Sequence, residues 1–273
     1  METFSGLPAR HDEAPEVVAR PAALAARGLR KVFGDKVAVA GFDLAVPAGS
    51  FFGLVGPNGA GKSTTIGMMT GMLRPDAGAV RIGDGDVWTD PQAVKRRIGV
   101  LPEDLRLIER LTGRELLHYL GAMRELPSEE VVPRADELLS VFELDGDATK
   151  LIADFSTGMR KKMGLAAALL HAPEVLFLDE PFESVDPVSV RTIRTVLERY
   201  TAGGGTILFS SHVMAVVEQL CDRVGIMHDG RLVAAGRLDD VRQGRRLEDV
   251  FIDLVGASLP DDDSLTWLQR SSG

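Results

Sequence analysis

The chain has 273 residues, room for one large domain or two modest ones, and 45% apolar residues suffice for a sizeable core. Forty acidic residues against 31 basic ones leave a net charge of -9, which excludes nucleic-acid binding driven by overall charge, so no nucleic-acid partner is expected. A single cysteine, Cys221, excludes an intrachain disulfide framework and fits a reducing cytoplasm, and no window reaches the roughly 18 to 20 apolar residues of a membrane-spanning helix.

Residues 1–22 mix Pro8, Pro15 and Pro21 with scattered charges and read as a loose tail. Apolar runs of strand length then recur at Phe51–Val55, Ile98–Leu101, Val175–Leu178, 206–209 and 224–227, each bounded by Gly, Pro or polar residues. Unbroken runs of this kind suit strands covered on both faces. Between them, 62–73, 188–200 and 213–220 carry helical spacing, which predicts a mainly parallel sheet wrapped by helices. Residues 105–171 break the rhythm: Leu116, Leu117 and Leu120, then Leu138, Leu139 and Phe142, then Leu165, Leu169 and Leu170 recur at helical intervals. A helical insertion into the α/β core follows. Beyond it, Asp261, Asp262 and Asp263 lead into a Ser-rich terminus that reads as a solvated acidic tail.

The strongest chemical signal is GPNGAGKST at residues 56–64, directly after the first apolar strand and opening a helix. Gly56, Gly59 and Gly61 let the backbone curl so that successive N–H groups face a phosphate, and the helix start adds its positive end. Lys62 supplies a point charge for the β- and γ-phosphates, and the Ser63 hydroxyl is a hard oxygen for Mg²⁺. A second acidic centre stands at the end of VLFLDE, residues 175–180: Asp179 for Mg²⁺, and Glu180 as the base that readies water. The guanine-reading pattern N-K-x-D is absent from the chain.

In this order the motifs resemble the ATP-binding-cassette (ABC) ATPases over residues 23–236, a match that extends to about residue 256. The family-specific element is FSTGMRKKM, residues 155–163, standing where that family carries its signature; Thr157 and Met159 replace the usual Gly and Gln. The resemblance implies a P-loop NTPase fold with a mainly parallel core sheet, an antiparallel β subdomain and the helical subdomain at about 105–171, followed by a C-terminal extension at 237–273. It implies ATP held by Gly56, Pro57, Asn58, Gly59, Ala60, Gly61, Lys62, Ser63 and Thr64, with Phe33 against adenine. Glu103 falls where a glutamine usually senses Mg²⁺ and the γ-phosphate, and His212 matches the switch histidine. Ser156 and Gly158 would receive a γ-phosphate from a second chain, and Asp186 matches the loop joining two sites.

One P-loop and one signature per chain imply a homodimer, or a heterodimer with a second ABC ATPase, closing on ATP. They also imply a separate integral membrane permease and a peripheral place on the inner face of the cell membrane. Leu105, Leu107, Ile108 and Leu111 are the expected docking surface, with burial inside the insertion as the alternative. RRLEDVFIDLVG, residues 245–256, resembles the terminal segment of exporter-type ATPases. Two other readings stay open: a soluble ABC-type ATPase acting on nucleic acid or the ribosome, and a regulatory cassette with little turnover. The basic runs 95–97 and 160–162 bear on the first, but runs of three charges usually form solvated faces.

Overall fold

The computed structural model describes residues 21–147 and 149–256. The expected N-terminal tail, apart from residues 21 and 22, and the acidic run 261–263 lie outside them. The chain opens with two long antiparallel strands, β1 (Ala22–Phe33) and β2 (Lys36–Pro47). Reading of individual residues passed over both, because their apolar positions alternate with Arg27, Arg30, Lys31 and Asp43, as suits a sheet with one wet face. β3 (Phe51–Val55) is buried along its length and leads through the glycine loop into α1 (Lys62–Met69). That helix stops short of the expected residue 73. Gly71 takes φ +75°, and the N–H of Met72 turns back to the Gly67 carbonyl at 2.9 Å.

β4 (Ala77–Ile82) and β5 (Gly85–Asp86) complete an antiparallel sheet of order β2-β1-β4-β5, the subdomain that the family resemblance implies. α2 (Pro91–Arg97) follows, capped by Asp90, and then β6 (Ile98–Leu101). The insertion is helical as expected: α3 (Gly113–Met123), α4 (Ser128–Val141) and α5 (Thr157–Leu169). A capping box between Thr112 and Glu115 starts α3, and the Ser156 hydroxyl accepts the Met159 N–H to start α5.

The chain returns to the core with β7 (Val175–Leu178), α6 (Pro187–Ala202), β8 (Thr206–Ser211), α7 (Met214–Leu220), β9 (Arg223–His228) and β10 (Arg231–Arg237). Two short helices, α8 (Leu238–Arg242) and α9 (Leu247–Val255), end the described chain. The second sheet runs β10-β9-β3-β8-β7-β6, parallel except for β10. Its register pairs Val55 with Ser211, Leu178 with Phe209 and Leu101 with Leu178. The residues just beyond these strands therefore share one edge, where open parallel sheets place their ligands.

One apolar core lies between this sheet and the helical insertion, where Phe209 meets Phe51 and Phe182 edge to face. A second core joins the parallel sheet to the antiparallel one through α1. Leu238 and Leu247, within the stretch set apart as an extension, are buried in the first core with Leu197 and Val224. Leu247 is fully buried, so Leu247→Ala should cost about 2–5 kcal/mol in urea unfolding. A loss below roughly 0.5 kcal/mol, the range of a neutral surface change, would detach this segment from the cooperative fold.

Candidate functional site

The loop after β3 is held from behind. A Cβ on Gly56 would lie 2.3 Å from the Met227 carbonyl oxygen, so the approach of β9 itself requires glycine there. Gly59 and Gly61 take φ +83° and +100°, which bends the chain into α1. That helix has no side-chain cap and no acidic residue in its first turn, leaving its N–H groups to an anion. Lys62 is buried, and its ammonium donates to the carbonyls of Gly56 (2.9 Å) and Pro57 (3.3 Å) while lying 3.5 Å from Glu180 Oε1.

Facing the loop, the ends of β6, β7 and β8 deliver Glu103, Asp179, Glu180 and His212. The Ser63 hydroxyl donates to Glu103 Oε2 at 3.1 Å and lies close enough to Asp179 to lower its pKa in part. Asp179 is buried and accepts a short hydrogen bond from the Ser210 hydroxyl. Burial, reinforced by the neighbouring charges of Glu103 and Glu180, holds its carboxyl above the ordinary aspartate range. Glu180 adopts left-handed backbone at φ +46°, and its N–H donates to Ser210 Oγ at 3.0 Å. Its Oε2 stands 3.1 Å from His212 Nδ1.

Glu103, Glu180 and His212 line one cleft of about 470 Å³ together with Phe33, Asn58, Gly59, Gly61, Lys62, Ser63 and Thr64, while Asp179 is buried behind its wall. Phe33 leaves half its surface free at the rim, with the Lys31 ammonium 5.6 Å from its ring centre. Lys36, Ala38 and Glu183 also line the cleft, and sequence reasoning missed them. Ser210, the hydroxyl that joins Asp179 to Glu180, was missed as well.

The basic run 160–162 is not a solvated face. Lys161 and Lys162 are buried because α5 packs beneath the sheet edge, and Lys161 donates to the Glu180 carbonyl at 3.1 Å. In the run 95–97, Arg97 is held by Glu174 and Asp84.

Ser156, Gly158 and Asp186 stand apart from this cleft, and Gly56, Pro57, Ala60 and Asp179 do not line it. The Asp186 carboxylate caps α6 by accepting from Val188 (3.1 Å) and Ser189 (2.9 Å), and those bonds hold it below the ordinary aspartate range. A Cβ on Gly158 would lie 2.6 Å from Asp186 Oδ2, so glycine is what lets α5 and α6 meet there. Ser156 and Asp186 are both exposed beside this junction.

The ABC transporter family matches residues 39–183, a segment that holds the glycine loop, Glu103, the α5 start, Asp179 and Glu180. The chain belongs to the ABC transporter ATPase family. This cassette is 38% identical over 220 residues to the daunorubicin resistance ATP-binding protein DrrA3 of Streptomyces coeruleorubidus, spanning 81% of the cassette and 70% of that protein. It is 38% identical over 218 residues to the linearmycin resistance ATP-binding protein LnrL of Bacillus subtilis, spanning 80% and 70%. The bacitracin transport ATP-binding protein BcrA of Enterococcus faecalis is 35% identical over 219 residues, with the same coverage of 80% and 70%.

Among solved structures, an ATP-binding subunit of an ABC transporter superimposes with a TM-score of 0.80 at 32% identity, covering 85% of the cassette and 99% of that chain. An ATP-binding cassette solved as a dimer after hydrolysis, with ADP and Pi, shares the fold at a TM-score of 0.72 and 23% identity, covering 79% and 98%. The cassette is thus a P-loop NTPase of the expected α/β class, the ATP-binding and hydrolysing subunit of a transporter. Among the described residues no helix is long and apolar enough to cross a membrane.

The buried Asp179 carries a stability consequence. Its folded pKa is raised above the ordinary 3.8, so the ionised folded state is penalised at neutral pH, and the penalty fades once both folded and unfolded chains are protonated below 3.8. Asp179→Asn should therefore raise the thermal midpoint at pH 7 by about 2–4 °C for each kcal/mol relieved, and the gain should vanish towards pH 3.5. A midpoint lowered at pH 7 would show that Ser210 and Ser63 outweigh the burial cost.

Proposed function

We propose that this ATPase powers export through a separate membrane permease, and that its cleft hydrolyses ATP by positioning and charge stabilisation. The observation that carries the reading is the meeting of Lys62, Ser63, Glu103, Glu180 and His212 in one cleft at the end of the parallel strands, with the buried Asp179 directly behind them. Phe33 offers adenine a flat face, the loop N–H groups from Gly56 to Thr64 cradle the phosphates, and Lys62 pairs with the β- and γ-phosphates. Glu180 takes a proton from water as the water oxygen attacks the γ-phosphorus; the bond to the β–γ bridging oxygen breaks and ADP departs. His212, 3.1 Å from Glu180, holds that carboxylate and the water in line.

Ser63, Glu103 and Asp179 form a corner of hard oxygens rich in negative charge, which fits Mg²⁺. Among the described residues no cluster of three His, Cys, Asp or Glu side chains could hold a metal alone, and Mg²⁺ in such sites takes most of its ligands from phosphate and water. When bound it would neutralise charge developing on the phosphates.

Ser156 and Gly158 lie outside their own cleft at an exposed helix start, so the reading gives them to the ATP of a second copy or a second ABC ATPase. Asp186, packed against Gly158, joins the two sites. The permease would dock in a groove of about 580 Å³ between core and insertion, lined by Met72, Leu105, Leu107, Leu120 and Met123 with Lys95, Arg106 and Arg124 at its sides. Leu105 and Leu107 line it as expected; Ile108 is 42% exposed beside it, whereas Leu111 packs partly against the core. That attachment puts the cassette on the inner face of the cell membrane, in the cytoplasm. The relatives named for daunorubicin, linearmycin and bacitracin, together with the 245–256 segment, favour export, with antibiotics as the first cargo to test.

Glu180→Gln should keep ATP affinity, lower turnover by roughly 100-fold or more, and leave a stable dimer on gel filtration with ATP and Mg²⁺. Undiminished hydrolysis would remove Glu180 as the base. Lys62→Ala should abolish tight nucleotide binding. Mixing Lys62→Ala chains with Ser156→Arg chains should recover activity, because one composite site of each mixed dimer is then intact; no recovery would count against sites shared between chains. Met123→Glu should weaken co-purification with the permease while the isolated cassette keeps its ATPase rate within about two-fold.

A further inference from the structure

Lys161 is a buried lysine inside the 155–163 element, but the roles given to that element fall on Ser156 and Gly158, and the proposed reaction does not use it. It sits in α5, five residues beyond Ser156, and its ammonium donates to the main-chain carbonyl of Glu180 at 3.1 Å. The other side of the same residue is also held, since the Glu180 N–H donates to Ser210 Oγ at 3.0 Å. Between these two bonds the Glu180 backbone takes φ +46°, left-handed backbone that a non-glycine residue adopts against its steric preference.

The Lys161 charge also acts on Glu183, Asp179, Glu103 and Glu180, the four carboxylates of the strand ends. Burial nonetheless outweighs their attraction and pulls its pKa below the ordinary lysine value, so the ammonium is kept here at a cost to its own solvation. A lysine serving only to fill space would be better replaced by an uncharged side chain of the same length.

We infer that Lys161 is a positioning residue for hydrolysis: by holding the Glu180 carbonyl it fixes the strand-end turn so that the Glu180 carboxylate points at Lys62 and His212. This deepens the proposed reaction and rests on Glu180 being its base. The bond reaches from the helix that begins at Ser156 to the turn that carries Glu180. Lys161 touches neither nucleotide nor water in this scheme, so its loss should act on the rate of the chemical step and leave nucleotide binding alone.

The test compares the full chain with Lys161→Met, Lys161→Arg, Lys161→Gln and Glu180→Gln, measuring steady-state kcat and KM, equilibrium affinity for a fluorescent ATP analogue, and thermal midpoint. Lys161→Met should lower kcat by roughly 10- to 100-fold, the scale of a reacting group displaced by about 1 Å. Affinity should stay within about three-fold and the midpoint within about 5 °C, since a methionine fills the same channel. Lys161→Arg, which keeps a charged donor of sufficient reach, should restore most of the lost rate.

A Lys161→Met kcat within two-fold of the parent would overturn the inference. So would rate, affinity and midpoint falling together, the pattern of a packing role. If Lys161→Met does not fold, the arginine and glutamine variants decide: the inference requires faster turnover with arginine at equal affinity, and equal rates refute it. Normal turnover in Glu180→Gln would instead remove the base assignment itself, whereas a dead Glu180→Gln beside a fully active Lys161→Met would sink the positioning role alone.

Discussion

Negative charge gathered at the end of a parallel sheet is the constraint on which the cassette depends. Glu103, Asp179, Glu180 and Glu183 meet there, and two buried ammonium groups, from Lys62 and Lys161, come in among them. Asp179 and Glu180 are buried there, and burial together with the charges of Glu103 and Glu180 makes the Asp179 carboxyl resist ionisation. The surroundings respond with hydroxyls rather than further charges: Ser63 reaches Glu103 and Asp179, and Ser210 spans Asp179 and the Glu180 backbone. A site built this way is short of positive charge. A metal-bound triphosphate brings cation and anion together, and the loop amides of α1 receive the anion.

The two sheets divide the work that this constraint imposes. The parallel sheet sets the carboxylates, the serines and the histidine at one edge through its register. The antiparallel sheet carries Phe33 at the end of β1 and Lys36 at the start of β2, so the rim of the cleft comes from a different layer than its floor. α1 packs in the core that joins the two layers, which fixes rim and floor relative to the phosphate loop.

Much of this was legible because buried parallel strands write themselves as unbroken apolar runs, and chemistry sits just past their ends. Asp179 and Glu180 could be read in that way, whereas His212 was singled out through the family resemblance. β1 and β2 could not, since a sheet with one wet face spreads its apolar residues among charges. The end of α1 was overrun because Leu73 continues the apolar spacing past Gly71, whose positive φ stops the helix. Glu183 and Lys36 belong to no local pattern, and Lys161 lies within the 155–163 element at a position to which the resemblance gives no role. Their roles arise from adjacency between elements far apart in the chain, and in a basic run such as 160–162 the buried member looks like its neighbours.

The left-handed backbone of Glu180 has a further consequence. Glycine would sit there without strain, whereas glutamate forgoes of order 1 kcal/mol to keep its carboxylate at that turn. The molecule therefore gives up a little stability at the residue proposed as its base. Selection for heat resistance alone would erode the engine from that point outward.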